Sequence, residues 1–266
     1  MSRTIAIANQ KGGVGKTTTA VNLSACLAQK NKQVLIVDID PQGNTTSGLG
    51  IDKKNLKQTI YNVLLGECFV SDVFIKTQID GLTLIPADVQ LAGAEIELVV
   101  DEIKGGRENI LSKILREIKY TYDYIIIDCP PSLNILTVNA LTATDTVLVP
   151  LQCEFFALEG LTQLLHTITL VQKRLNNRLE IEGIVFTMFD GRTNLSMQVV
   201  EEVKKYVDPH IYKCIIPRNV RLSEAPSHGL PITLYDKTSK GAEAYMQLAD
   251  MVDSYNKDSK NTAGSK

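Results

Sequence analysis

Residues 11–18 read KGGVGKTT, a glycine-rich spacing ahead of a lysine and two threonines that suits the handling of phosphate. Gly12, Gly13 and Gly15 let the backbone take conformations that a Cβ forbids, so successive N–H groups around Val14 can point at phosphate oxygens. A strand-like run precedes the stretch and a helical one follows it. The helix N-terminus at Thr17 and Thr18 then adds the positive end of its dipole. In that setting Lys16 would reach the β- and γ-phosphates of a nucleotide, and Thr17 would offer its hydroxyl to Mg2+. The usual pattern G-x-x-x-x-G-K-[ST] misses by one residue, because its first position falls on Gln10. An extra lysine, Lys11, stands near the start of the loop; its chemistry alone also allows a solvated charge beside an anion site.

Two acidic strand ends complete the set. The apolar run VLIV at 34–37 leads into Asp38-Ile39-Asp40-Pro41-Gln42-Gly43-Asn44. Carboxylates at the carboxyl end of a parallel strand face the crevice where such sheets bind ligands. Alternation sets Asp38 and Asp40 on one side, roughly 6–7 Å apart. The run YIII at 124–127 ends in Asp128, whose carboxylate could hold Mg2+ directly or through a water. Mg2+ keeps several waters and needs only one or two protein oxygens, so Thr17 and Asp128 suffice. Phosphoryl transfer rests mostly on positioning and charge neutralisation, so Asp40 need not be a strong base.

Those residues need a parallel sheet to hold them. Short apolar runs at 4–8, 34–37, 82–85, 124–127, 146–149, 183–187 and 211–216 read as strands. Segments of helical period at 17–30, 109–119, 158–175, 196–206 and 240–255 lie between or after them. The expected fold is α/β: a single P-loop domain over residues 1–255, with a twisted, mostly parallel sheet and helices on both faces. Residues 256–266 hold no large apolar side chain and are expected to form a disordered polar tail.

Composition bounds the partners. The 266 residues are 44% hydrophobic and 22% charged, ordinary for one globular domain. The formal net charge is −2, so any nucleic-acid or membrane binding must come from a local patch. Aromatics total 6% and Trp is absent, which argues against base stacking as a means of recognition. Cys26, Cys68, Cys129, Cys153 and Cys214 form no C-x-x-C pair and read as reduced thiols. Neither a signal layout nor an apolar run near the ~20 residues of a membrane span is present, so a cytoplasmic location is expected.

The motifs carry a resemblance over nearly the whole chain. KGGVGKT resembles the deviant Walker A signature of the ParA, MinD and nitrogenase-iron-protein group. NQKGGVGKTT, DIDPQGN, IIIDCPPS and residues 216–229, IPRNVRLSEAPSHG, look like the chromosomal ParA/Soj partition ATPases. The resemblance implies that Lys11 reaches the nucleotide of a partner subunit, so that ATP closes a homodimer. It implies that Asp40 orients the attacking water while Asp38 positions the switch and Lys16 or Lys11. Pro217 and Asn219 would lie by the adenine, and Arg192 and Arg221 would contact DNA without sequence preference. Lys204, Lys205, Lys213 and Arg218 could widen that patch. A ParB-type partner would stimulate a slow intrinsic ATPase, with the ATP state on the nucleoid. A MinD-like membrane ATPase would need a basic amphipathic C-terminal helix, and residues 256–266 lack its apolar face. An iron protein would need cluster-binding cysteines in Gly-rich segments. A regulator that uses ATP only as a ligand would need a DNA-reading module for which the start of the chain leaves no room.

Overall fold

Runs such as YIII and VLIV are apolar at every position, and in the computed structural model they and the aspartates that end them are buried along their whole length. The structure describes residues 2–100, 106–154, 156–192, 194–207 and 211–263. Eight strands form one sheet: β1 (Arg3–Ile7), β2 (Val34–Asp38), β3 (Ile75–Lys76), β4 (Leu82–Ile85), β5 (Tyr124–Asp128), β6 (Thr146–Gln152), β7 (Glu180–Phe189) and β8 (Ile211–Pro217). Their order is β3-β4-β2-β5-β1-β6-β7-β8, and among the described residues only β3 runs antiparallel to its neighbour. The seven expected strands are all present. Two-residue β3, too short to carry a period, escapes sequence reading.

The helices are α1 (Lys16–Gln29), α2 (Asn44–Gly48), α3 (Ile60–Leu64), α4 (Leu91–Val100), α5 (Ile110–Ile118), α6 (Ile135–Ala143), α7 (Ala157–Arg174), α8 (Asn194–Val207), α9 (Val220–Glu224), α10 (Ile232–Tyr235) and α11 (Lys240–Ala263). They cover both faces, and strand alternation divides the core between them. Ala6, Leu35, Val37, Ile125 and Ile127 pack with Leu111, Leu136 and Leu161 of α5 to α7. Ile5, Ile7, Ile36 and Ile126 pack with Leu23 and Leu27 of α1 and Leu248 and Val252 of α11.

Local chemistry sets the helix ends. Asn31, at φ 60, turns the chain out of α1 in the left-handed region, where Asn is tolerated. Asn134 caps α6 by accepting from the backbone N–H groups of Leu136 and Thr137 at 3.1 and 3.2 Å. One expectation is corrected. The segment from Asn256, read as unstructured, continues α11 as far as Ala263. Between Gly241 and Gly264 the sequence holds neither glycine nor proline, so nothing local stops the helix.

Candidate nucleotide site

β1 delivers the chain to the carboxyl edge of the sheet, where the phosphate loop turns back into α1. Gly13 (φ 74) and Gly15 (φ 87) take the left-handed conformations that the loop requires. A Cβ on Gly12 or Gly13 would meet nothing within 4 Å, so the space beside this backbone is open. The loop is pinned from beneath. Thr187 of β7 donates to the Val14 carbonyl at 2.8 Å. Asn9 donates to the Pro150 carbonyl at 2.8 Å and accepts from the Lys11 N–H at 3.0 Å.

Lys16 is only 7% exposed, and its Nζ donates to the Lys11 carbonyl at 3.0 Å, so the ammonium curls back over the loop. Burial lowers its pKa, while Asp128, Cys129 and Asp40 oppose that shift. Thr17, at the start of α1, donates its hydroxyl to Asp128 Oδ2 at 2.8 Å. Thr45 of α2 donates to the same oxygen at 2.8 Å. The other carboxylate oxygen of Asp128 is buried without a partner. Asp38 and Asp128 are register partners at adjoining strand ends, and both are fully buried. Burial first, then the charge of Asp38 on Asp128 and of Asp40 on both, raises the pKa of both carboxyls above the usual range.

Asp38 organises the turn after β2. Its Oδ2 accepts from the Thr46 backbone N–H at 2.8 Å and the Thr46 hydroxyl at 2.7 Å, and its Oδ1 accepts from the Asp40 N–H at 3.2 Å. Neither lysine of the loop is its partner: Lys16 turns to a carbonyl, and Lys11 forms an ion pair with Glu154 after β6. Lys11 Nζ also lies 5.9 Å from the centre of the Phe156 ring. Asp40 is 7% exposed and accepts from the Gln42 N–H at 2.9 Å, which closes the turn before α2. Gly43 must be glycine: its φ is 59, and a Cβ there would fall 2.6 Å from the Ala87 carbonyl oxygen.

Pro217 and Asn219 line a cavity of about 460 Å3 together with Gly15 and Thr18 of the loop, and with Thr187 and Tyr245. Asn219 also caps α9 by accepting from the Arg221 N–H at 2.8 Å. His228 stacks on Tyr235 with ring centres 4.9 Å apart, a packing contact within its loop. The two arginine side chains are on the surface. Arg192 is bound through Nε and Nη2 to Asp190 at 2.8 and 2.6 Å. Arg221 pairs with Glu224 at 2.9 Å and with Asp236 at 3.6 Å.

The structure therefore brings Lys16, Thr17, Asp40 and Asp128 together under the loop, and puts Pro217 and Asn219 on the wall of the adjoining cavity. It adds Thr45, Thr46, Thr187 and Glu154, which sequence reading passes over. The TT that directly follows DPQGN is the one usable signal among them. Glu154 and Thr187 lie far from the loop in sequence and meet it only through the sheet.

A protein-family model described as an AAA domain matches residues 2–181. The sporulation initiation inhibitor protein Soj of Bacillus subtilis is 61% identical over 252 residues, 95% of this chain and 98% of the relative. The chromosome partitioning protein ParA of Caulobacter vibrioides is 53% identical over 256 residues, 96% of each chain. Among solved structures, cobyrinic acid a,c-diamide synthase from Mycobacterium smegmatis with bound ATP analog and magnesium matches with a TM-score of 0.82 and 40% identity, over 94% of this chain and 93% of that one. The septum site-determining protein MinD with Mg-ADP from Pyrococcus horikoshii matches at 0.79 and 28%, over 95% and 96%. Sheet order and loop define the class: a P-loop nucleoside-triphosphatase fold. Within that class the chain belongs to the ParA/Soj family of chromosome-partitioning ATPases.

Proposed function

We propose that this chain binds ATP with Mg2+, closes into a homodimer around it, and binds DNA without sequence preference in that state. Hydrolysis is slow by itself and is stimulated by a ParB-type centromere-binding partner, which releases the protein from DNA. The protein works in the cytoplasm, on the nucleoid while ATP is bound.

One observation carries the reading: the Thr17 and Thr45 hydroxyls share Asp128 Oδ2, while Oδ1 of the same buried carboxylate has no partner. A buried acceptor left unpaired is costly, and a hydrated divalent cation satisfies it. The donor set is all oxygen, as Mg2+ prefers. Mg2+ would be held by Thr17 and Asp128 and would neutralise charge on the β- and γ-phosphates. The N–H groups of Gly12, Gly13, Val14, Gly15, Lys16, Thr17 and Thr18 cradle the phosphates, with Lys16 Nζ leaving the Lys11 carbonyl for them. The cavity at Pro217 and Asn219 has the size and the apolar lining for an adenine.

Asp40 orients the attacking water from the turn that Asp38 holds. Lys11 reaches across to the partner's nucleotide, and Arg192 and Arg221 supply phosphate contacts that double on dimerisation. The closing helix belongs to the core through α1 and β8, which speaks for DNA rather than a membrane as the surface bound.

DNA co-sedimentation with ATP, ADP or no nucleotide tests this. The parent chain should pellet with DNA only with ATP, and Asp40→Ala should stay on DNA with ATP. Lys16→Ala and Arg221→Ala should remain in the supernatant. Binding that ignores nucleotide in the parent chain would overturn the reading.

A further inference from the structure

At the amino end of the sheet, opposite the phosphate loop, a cavity of about 480 Å3 opens between the end of α5, the turn after α6 and the loop before β7. Three cations line it: Arg116, Lys119 and Arg178. None of them takes part in an ion pair among the described residues. The single carboxylate on the wall, Asp145, already accepts from the Thr4 N–H at 2.8 Å. The Ser2 hydroxyl, also on the wall, is a buried oxygen with no hydrogen-bond partner. At the rim the Tyr120 ring is 79% exposed, with Lys119 Nζ 5.2 Å from its centre.

Arg116 and Lys119 stand three residues apart at the end of one helix, close enough for like charges to repel. The negative end of α5 offsets a cation in its last turn. It does not account for Arg178, which a different element brings to the same recess. A concave wall concentrates the field of such charges, and a chain of net charge −2 has carboxylates to spare for pairing them. Leaving three unpaired around one recess favours an anion there.

We propose that this cavity binds a small phosphorylated molecule, its phosphate held by Arg116, Lys119 and Arg178 and its base or other planar group laid against Tyr120. It is separate from the nucleotide site and does not depend on the function proposed above. The volume suits a mononucleotide, and guanidinium groups suit bidentate contact with phosphate.

The test is calorimetry at low salt on the full chain saturated with Mg-ADP, titrated with AMP and, separately, with ribose 5-phosphate. Saturable binding of at least AMP at one site per chain is expected. Arg116→Ser/Lys119→Ser/Arg178→Ser should weaken it about tenfold or more, since each lost contact to a charged group carries a large share of such affinity. The affinity of this variant for ADP should be unchanged, which verifies its fold. Arg178→Ser alone, on an exposed loop, should give a smaller loss in the same direction. Tyr120→Leu should weaken AMP and spare ribose 5-phosphate. Absence of saturable binding by both probes, or equal affinity in the triple variant, overturns the proposal. So does a duplex DNA that needs these three residues when neither small phosphate binds.

Discussion

Lys16 and Arg192 are both cations assigned to phosphate, yet the chain keeps them in opposite ways. Lys16 is 7% exposed, bound to a backbone carbonyl and surrounded by carboxylates that the sheet fixes. The Arg192 side chain is 89% exposed and is tied to Asp190, two residues away. In the first region the protein sets the geometry before any ligand arrives, so every partner is committed and each loss is felt. In the second, water and salt compete for the arginine, and its pairing with Asp190 is worth little in stability. On the function proposed above, the difference separates a site built for one molecule from a surface that would grip any phosphate backbone.

The sharpest way to break this contrast is Lys16→Ala. Removing a buried, charge-assisted donor should lower ATP affinity by about 100-fold or more, read by equilibrium dialysis. A change under threefold would place Lys16 with the surface cations. Gly43→Ala comes next, because both its φ of 59 and the Ala87 carbonyl 2.6 Å from the added Cβ oppose it. A loss of about 1–3 kcal/mol of stability is expected, measured by urea unfolding, together with slower ATP turnover as the Asp40 turn shifts.

Proton linkage sharpens the buried side further. Burial raises the carboxyl pKa of Asp38 and Asp128, so their protonated forms stabilise the fold at acid pH, and that contribution is lost as pH rises through the raised values. These two groups should make the metal-free chain gain stability as pH falls from about 8 to about 6. If Asp128 holds the metal as proposed, Mg-nucleotide needs it ionised, so it should raise Tm by a few degrees more at the higher pH. Asp128→Asn should remove most of that difference in a pair of thermal melts. The smallest effects belong to the surface. Arg192→Ala should lower the DNA affinity of the ATP state a few-fold and flatten the log–log salt slope by about 0.9 per lost contact. Asp190→Asn, which frees the arginine, should raise affinity a few-fold in the same fluorescence titration.

The same contrast governs what was legible in the sequence. The phosphate loop, both acidic strand ends and seven strands could be read, because burial on both faces leaves unbroken apolar runs and glycines mark the loop. Helix α6 escaped, since ILTVNALTA is apolar nearly all round and shows no face. Thr187 and Glu154 escaped because only strand order brings them to the loop, and no local pattern encodes that order. Asp190 and Glu224 lie in the sequence within three residues of the arginines they hold, but such spacing is too common on surfaces to signal a pairing.

The long helix α11 has a consequence for how the molecule comes into being. It lies against α1 and β8 and seals the apolar layer of Ile5, Ile36 and Ile126. Tyr245 meets Thr19 at 3.1 Å, and Asp253 meets Tyr124 at 2.9 Å and Lys32 at 3.0 Å. While the chain is still leaving the ribosome, of these two helices α1 alone covers that layer from the time β1, β2 and β5 are made until the residues from Lys240 onward emerge. At about 5–20 residues per second, the nascent protein spends seconds with this layer only partly covered, within reach of chaperones or other unfinished chains.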